Sequence, residues 1–304
     1  MNFLGKSVEY PEKYDPALLQ SIPRQLQRKL LFIDSNTTLN PAGPDFGPEN
    51  LPFRGLDILN HYEVSYLLES GKPEVGILEI YAPADSPYLV ESKSLKLYFN
   101  SLNMHKFKSS AEFLAQVQHD LDKGYGLPVK LNFILPKDFK DQQIQDFSGV
   151  CLDDLEIDLR SDLSSDLKAN LNSEANVYLP NPKILVLSGE EESMGEVVEE
   201  TLHSHLLKSN CLITGQPDWA SIQIYYQGPR INHASLLKYL ISFRQHQEFH
   251  EHCIERIFMD ILNHCRPSKL SVYGRYTRRG GIDINPFRSN FPVENFLNIR
   301  QARQ

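Results

Sequence analysis

The sequence predicts an α+β fold made from a tandem repeat of strand, strand, helix, helix, strand, strand. Three observations carry that prediction. First, S94-L-K-L-Y-F-N-S-L-N103 followed by S110-A-E-F-L-A-Q-V-Q-H-D-L121 has the apolar spacing of paired helices. S235-L-L-K-Y-L-I-S-F-R244 followed by H250-E-H-C-I-E-R-I-F-M-D-I-L262 has the same spacing. Second, the two helical pairs align without a gap at an offset of 141, with Ser94, Leu95, Tyr98, Ser101, His105 and Leu121 matching Ser235, Leu236, Tyr239, Ser242, His246 and Leu262. Third, a strand pair precedes each copy, ending near Ile80-Tyr81 and Ile224-Tyr225, and a strand follows each.

In chain order, residues 1–60 are rich in Pro, Asn and Asp and read as an N-terminal arm, with one short helix near Pro16–Leu31. Residues 61–150 form the first half. There E63-V-S-Y-L-L-E69 and V75-G-I-L-E-I-Y81 flank S-G-K-P-E as a β-hairpin, and V129-K-L-N-F-I-L135 alternates as a strand after the helices. Residues 151–200 form an acidic, Ser/Asn-rich connecting segment with one edge strand, K183-I-L-V-L-S188. Residues 201–304 form the second half, with strands at H203-S-H-L-L207, S221-I-Q-I-Y-Y226 and L270-S-V-Y-G-R-Y276.

Composition narrows the function. The chain has 304 residues, 41% of them hydrophobic and 23% charged, the balance of a soluble globular protein able to bury a core. A net charge of −8 argues against direct nucleic-acid binding, which needs a basic footprint. The first residues lack the apolar core of a signal peptide, and no apolar run approaches the roughly 20 residues that span a bilayer. Cys151, Cys211, Cys253 and Cys265 are irregularly spaced, as in a protein of the reducing cytoplasm.

Four stretches carry chemistry. S209-N-C-L-I-T-G-Q-P-D-W219 holds a thiol and a carboxylate across a turn. Fully extended, Cys211 and Asp218 would stand about 23 Å apart, whereas a chain reversal would bring them together. Cys211 reads as a buried structural thiol, a metal ligand or a nucleophile. The carboxylate beside it can carry a proton but does not itself activate a thiolate. F249-H-E-H-C253 opens a helix, where Glu251 could accept two hydrogen bonds from the N–H and NH₂ edge of a guanine-type base.

Zinc on Cys211, His250 or His252, and Cys253 is the competing reading, without any of the familiar four-ligand spacings. His203 and His205 share one strand face and read as plain side chains. L89-V-E-S-K-S-L-K96 opens a helix with Ser92 and Ser94 as capping types, and it offers Glu91 and Lys93 to a ligand. No Rossmann or P-loop glycine motif occurs, so a phosphate-bearing cofactor would need R275-Y-T-R-R-G-G-I-D-I-N-P-F-R288, four arginines around a Gly-Gly pair.

Together V90-E-S-K-S-L-K96, N210-C-L-I-T-G-Q-P-D-W219, F243-R-Q-H-Q-E-F-H-E-H-C253 and Y276-T-R-R-G-G-I-D-I-N285 resemble the nitrile reductases of queuosine biosynthesis, the NADPH-dependent 7-cyano-7-deazaguanine reductases in their long, two-half form. The resemblance runs from about residue 16 onward and is weakest over 151–200. It implies tandem tunnelling-fold units, antiparallel sheets with paired helices on the outer face, assembling into a barrel. It implies Cys211 as nucleophile and Asp218 as proton donor, with His250 acting later on the nitrogen. Val90, Glu91, Ser92, Phe249, His250 and Glu251 would hold the 7-deazapurine substrate. Ser92, Lys93, Arg279 and Gly280 would contact NADPH, and no metal is implied. A cytoplasmic homodimer acting on a tRNA-modification precursor follows from the same resemblance. A zinc-dependent cyclohydrolase-like enzyme of the same fold and a non-catalytic purine-binding protein are the alternatives.

Overall fold

The computed structural model describes residues 11–33, 51–159, 177–188, 197–293 and 297–304. In chain order the elements begin with β1 (Ser21–Pro23), α1 (Gln25–Ile33), β2 (Arg54–Leu68), β3 (Pro73–Pro83), β4 (Tyr88–Val90) and α2 (Ser92–Leu102). Next come β5 (Lys106–Phe107), α3 (Ser110–Tyr125), β6 (Lys130–Ile134) and β7 (Val150–Cys151). The second half contributes β8 (Val197–Ser204), β9 (Lys208–Asn210), β10 (Pro217–Pro229), α4 (His233–Ser242), α5 (His250–Cys265), β11 (Lys269–Tyr276) and β12 (Ile282–Ser289).

The result is a mixed α+β chain with extensive sheet, dividing into two compact units. The first comprises Met1–Gln25, Leu59–Gln142 and Arg279–Ile282; the second comprises Leu26–Ile58, Gln143–Arg278 and Asp283–Gln304. Strand order is β6-β3-β2 in the first and β12-β11-β10-β8-β7 in the second, and among the described residues neither run closes into a barrel. In the first unit Tyr66 stacks on Phe113 at 4.4 Å beside buried Leu78, Ile80, Leu95 and Val117. In the second, Ile222 and Ile224 of β10 and Val272 of β11 face Leu236, Leu240, Ile254 and Phe258 of the helices. Period-two burial on the strands and period-3.6 burial on the helices produce each core.

The repeat read from sequence reappears as hydrogen bonds. Glu91 caps α2 by accepting from Ser94 N, and Asn232, again 141 residues on, caps α4 by accepting from Ser235 N. Ser94 Oγ donates to Glu91 O at 2.7 Å, and Ser235 Oγ donates to Asn232 O at 2.8 Å. Ahead of each helix an Asx-Pro turn, Asp15-Pro16 or Asn181-Pro182, leads to a backbone N–H that donates to that same serine: Gln20 N to Ser94 and Val186 N to Ser235.

Several elements differ from the sequence reading. The helix near Pro16–Leu31 is a 3₁₀ turn (Pro16–Leu18), then β1, then α1, because Pro23 interrupts a continuous helix. The edge strand at 183–188 is a 3₁₀ turn (Pro182–Ile184) with one bridge, Leu187 to Ile231. The strand at 203–207 runs instead over Val197–Ser204, and Asp153 draws the chain out of it by accepting from Ser204 Oγ and His205 N. Strand β12 is the second closing strand that the repeat calls for, to which the sequence reading assigned no residues. Most of the two acidic runs, 160–176 and 189–196, lies outside the described residues.

One charge cluster lies inside the second unit. Glu255 of α5 accepts from Arg28 Nε at 2.9 Å and Nη2 at 2.5 Å, and from Arg288 Nε at 3.1 Å and Nη2 at 2.9 Å. Arg288 also donates to Asp57 at 2.7 Å, so two carboxylates balance two guanidinia. Burial alone would raise the Glu255 carboxyl, but the Arg28 and Arg288 charges outweigh it and hold the group well below the usual carboxylate range. The lowered folded pKa means that this stabilisation is present above the unfolded value of about 4.3 and is lost as pH falls below it. Glu255→Ala leaves Asp57 alone to balance two buried guanidinia and is expected to cost about 3–5 kcal/mol in denaturant unfolding at neutral pH. A loss under about 1 kcal/mol would contradict this assignment.

Candidate active site

Strand β9 pairs antiparallel with the start of β10, setting Asn210 opposite Pro217, Ser209 opposite Asp218 and Lys208 opposite Trp219. Between them the chain reverses tightly. Gly215 N donates to Cys211 O at 2.9 Å, and Cys211 N donates to Gln216 O at 2.8 Å. Gly215 has φ +67°, in the left-handed region that glycine enters without strain. Cys211 therefore sits at the root of the turn, half-buried and not in a disulfide. Asp218 pairs with Ser209, two residues before Cys211, so the reversal brings the carboxylate-bearing strand back alongside the segment that leads to the thiol. The reversal anticipated from Thr214, Gly215 and Pro217 is present.

The segment leading into α5 lies alongside this hairpin. Asn210 N donates to His246 O at 2.8 Å, and Glu248 N donates to Asn210 O at 3.3 Å. Glu248 is anchored by His246 Nε2 at 2.8 Å and by Arg256 through two contacts of 3.1 Å. Burial works against its charge, yet His246 and Arg256 keep its carboxyl below the ordinary range. With Glu248 tied down, Phe249 takes the N-cap position and His250 and Glu251 open the helix. His250 Nε2 lies 3.6 Å from Asp218 Oδ1, and its ring stands edge-on to Tyr276 with centroids 4.2 Å apart. Asp218 and Glu251 are 6% and 5% exposed, so both carboxyls are largely withdrawn from water. A carboxylate at a helix start is favoured by the partial positive charge there.

The surrounding thiols are not equivalent. Cys253, one turn into α5, is pushed up to about 12 by burial and then by Glu248, and burial alone pushes Cys265 up to about 12. Neither offers a thiolate near neutral pH. Burial first, then Cys253 and Asp218, drive the Tyr276 phenol well above its usual value, so it stays protonated. Lys208 donates to Asn210 Oδ1 and Arg244 O, both at 2.6 Å; burial and Arg244 lower its pKa while Asp218 opposes them. Among the described residues Cys211, His250, His252 and Cys253 do not converge on a metal-ligating arrangement, against the zinc alternative drawn from the sequence. Among the described residues a different cluster, Cys151, His203 and His205, does so.

The remaining candidate residues belong to the first unit. Val90 is buried at the end of β4, and Glu91 is the N-cap of α2, accepting from Lys93 N at 2.9 Å and Ser94 N at 2.7 Å. Glu91, rather than Ser92, is thus the capping side chain. Ser92 is half-buried and Lys93 is exposed. Arg279 N donates to Ile282 O at 2.9 Å, closing a turn through Gly280 and Gly281, at φ +59° and +76°.

Lys96, which the sequence reading passed over, flanks this turn. A Cβ on Gly280 would stand 3.2 Å from Lys96 Cδ and 3.6 Å from its Nζ. Its i, i+3 spacing from Lys93 was the signal that could have found it. Beneath the turn His61 Nδ1 donates to Gly281 O at 3.2 Å, and burial holds this imidazole down at about 4, hence neutral. Of the four arginines around the glycine pair, Arg275 and Arg288 have other duties. Arg275 binds Gln304, Tyr273 and Asn298, and Arg288 binds Glu255. The exposed Gly280, with Lys96 beside it, suits a phosphate-bearing cofactor, as the bare backbone permits close approach.

A half-buried thiol, a buried carboxyl and an imidazole on an α+β scaffold make up the set of groups used in covalent catalysis. The comparisons with known proteins agree on one family. The profile described as "Nitrile reductase, 7-cyano-7-deazaguanine-reductase N-term" matches residues 10–133, and the "QueF-like protein" profile matches residues 217–293. A curated NADPH-dependent 7-cyano-7-deazaguanine reductase of Ralstonia nicotianae is 47% identical over 301 residues, covering 99% of this chain and 97% of its own. Relatives with the same name from Burkholderia multivorans and Chromobacterium violaceum are 45% and 44% identical over 99% of this chain, and over 97% and 96% of theirs. The chain belongs to the family of NADPH-dependent 7-cyano-7-deazaguanine reductases, as its four motifs led one to expect.

Alkylation should separate the thiols. With iodoacetamide at pH 8, peptide mass spectrometry is expected to find Cys211 labelled while Cys253 and Cys265 in the folded protein stay unmodified. Labelling of Cys253 at a rate like that of Cys211 would contradict the assignment.

Proposed function

We propose that the protein reduces the nitrile of 7-cyano-7-deazaguanine to the 7-aminomethyl group with two equivalents of NADPH, a step in queuosine biosynthesis. The observation that supports the reading is the tight turn that leaves Cys211 half-buried at the root of the hairpin whose returning strand carries Asp218, with His250 3.6 Å from that carboxyl. NADPH supplies hydride, and Ser92, Lys93, Arg279 and Gly280 would hold it, with Lys96 adding charge at the same turn.

A nitrile carbon yields slowly to water but accepts a soft thiolate. Cys211 Sγ forms a bond to that carbon, one C–N π bond breaks, and Asp218 delivers a proton to the nitrogen, giving a thioimide. Hydride addition to the carbon and departure of the thiolate leave an imine. A second hydride at carbon and a second proton at nitrogen give the amine. Enclosure of the imine keeps water from converting it to an aldehyde. Glu251 is suited to the donor edge of the deazaguanine, as is Glu91, and Val90, Ser92 and Phe249 are the further proposed substrate contacts. His250 orients the nitrogen and assists the later proton transfer.

The same reading includes a homodimer that completes a barrel of tunnelling-fold units, without direct nucleic-acid contact, acting in the cytoplasm. Among the described residues no helix is long and apolar enough to cross a membrane.

Mixing the protein with 7-cyano-7-deazaguanine and NADPH is expected to consume two NADPH per amine formed, followed by cofactor absorbance and product mass. No NADPH consumption would overturn the proposal. Asp218→Asn keeps the shape of the site but removes the proton source, and should lower kcat by about 10²–10⁴-fold with substrate binding largely retained. Unchanged kcat would remove Asp218 from the mechanism.

A further inference from the structure

A second chemistry-bearing cluster lies in the second unit, and the proposed reduction makes no use of it. Strand β7 pairs parallel with β8 so that Cys151 is the register partner of His203, and His205 follows two residues on. One ligand atom from each of Cys151, His203 and His205 lies within 4.8 Å of the other two. We propose that Cys151, His203 and His205, with Asp146 as fourth donor, bind a divalent transition-metal ion of the zinc type.

Three observations beyond the cluster point to a ligand. His203 is 7% exposed, and its Nδ1 is buried without a hydrogen-bond partner. An orphaned buried ring nitrogen is costly, and coordination through Nδ1 would satisfy it. Asp146 Oδ2 stands 3.6 Å from His205 Nε2, while Oδ1 of the same carboxyl is held by Phe147 N and Gln301 Nε2 at 2.8 and 3.0 Å. One oxygen is thus anchored and the other faces the imidazole. Finally, His205 Nδ1 lies 2.8 Å from Ser221 Oγ, which can accept the Nδ1–H and leave the Nε2 lone pair for a metal. That outer partner is the usual means of orienting a ligating histidine.

The scaffold around the cluster is firm. A Cβ on Gly149 would fall 2.2 Å from Thr201 O, so only glycine allows β7 so close to β8. Leu152 N donates to His203 O at 2.9 Å, and Asp153 accepts from both Ser204 Oγ and His205 N. Tetrahedral zinc with bonds of about 2.0–2.3 Å keeps its ligand atoms roughly 3.3–3.8 Å apart, so modest side-chain rotation closes the three from Cys151, His203 and His205, and Asp146 would swing in from beside His205. A Cys-His-His-carboxylate set favours zinc, or cobalt as its probe, over the hard oxygen-seeking cations. Its members include neither Cys211 nor His250, so it is separate from the proposed nucleophile.

The test uses the full chain, stripped with a chelator, dialysed against Zn²⁺ or Co²⁺, and then desalted. Elemental analysis should find about one zinc per chain, and the cobalt form should show thiolate-to-metal charge-transfer absorption in the near ultraviolet. Cys151→Ser should abolish that band and weaken zinc binding at least ~10-fold, with NADPH-dependent nitrile reduction unchanged. Ser221→Ala, which removes the outer partner and none of the ligands, should weaken binding by about 10-fold. Less than about 0.1 zinc per chain after loading would overturn the proposal. So would metal that persists in Cys151→Ser but is lost in Cys211→Ala. Failure of nitrile reduction alongside normal zinc binding would count against the proposed function and leave this site standing.

Discussion

Glu255 is a charge that α5 carries into the interior of the second unit, and its need for counter-charges sets how that helix is rotated. Arg28 and Arg288 grip both of its oxygens, and Asp57 balances the second guanidinium. Side chains four apart on a helix share a face, so fixing Glu255 also fixes the direction of Glu251 one turn earlier. His250 and Phe249 then follow from the helix geometry, and the Glu248 anchor at the helix entrance prevents it from sliding. The position of the imidazole beside Asp218 is thus inherited from a charge cluster that itself touches no reacting group. A buried ion network of this kind is weak evidence of extra stability, but breaking it unbalances everything attached.

The two halves use one hydrogen-bond plan with different chemical ends. Both open the first helix of the pair with a polar cap and brace it through a serine that also receives a backbone N–H from an Asx-Pro turn. Where the second half has the neutral Asn232, the first has Glu91, whose two oxygens are each fixed by a backbone donor. A carboxylate held in that way keeps further lone pairs for a ligand and needs little reorganisation to bind one. The second half instead supplies the turn that carries the thiol. Duplication of a scaffold followed by divergence at helix starts and turns is the simplest account of why one chain holds both sets of groups.

Much of this was legible from residue pattern. The turn at Cys211 was foreseeable from Gly215 and Pro217, and the paired helices from their spacing and the 141-residue offset. The arm was less readable because its structure is set by contacts with α2 rather than by local periodicity: Gln20 N is held by Ser94, 74 residues away. The same is true of 183–188, whose apolar run suggested a strand but which repeats the Asx-Pro turn of the arm. Arg275 and Arg288 looked available for a phosphate, and only the fold reveals that Gln304, Asn298 and Glu255 already occupy them. Cys151 next to His203 was beyond sequence reading altogether, since a parallel register between distant strands has no local signature.

The proposed mechanism depends on a covalent bond between Cys211 and the nitrile carbon. Incubating the protein with 7-cyano-7-deazaguanine in the absence of NADPH, then mapping the adduct by peptide mass spectrometry, tests it most directly. One substrate mass is expected at Cys211, none on Cys151, Cys253 or Cys265, with release of the adduct as amine when NADPH is supplied. Unmodified Cys211 in wild-type protein, together with NADPH-dependent turnover that survives Cys211→Ala, would contradict it.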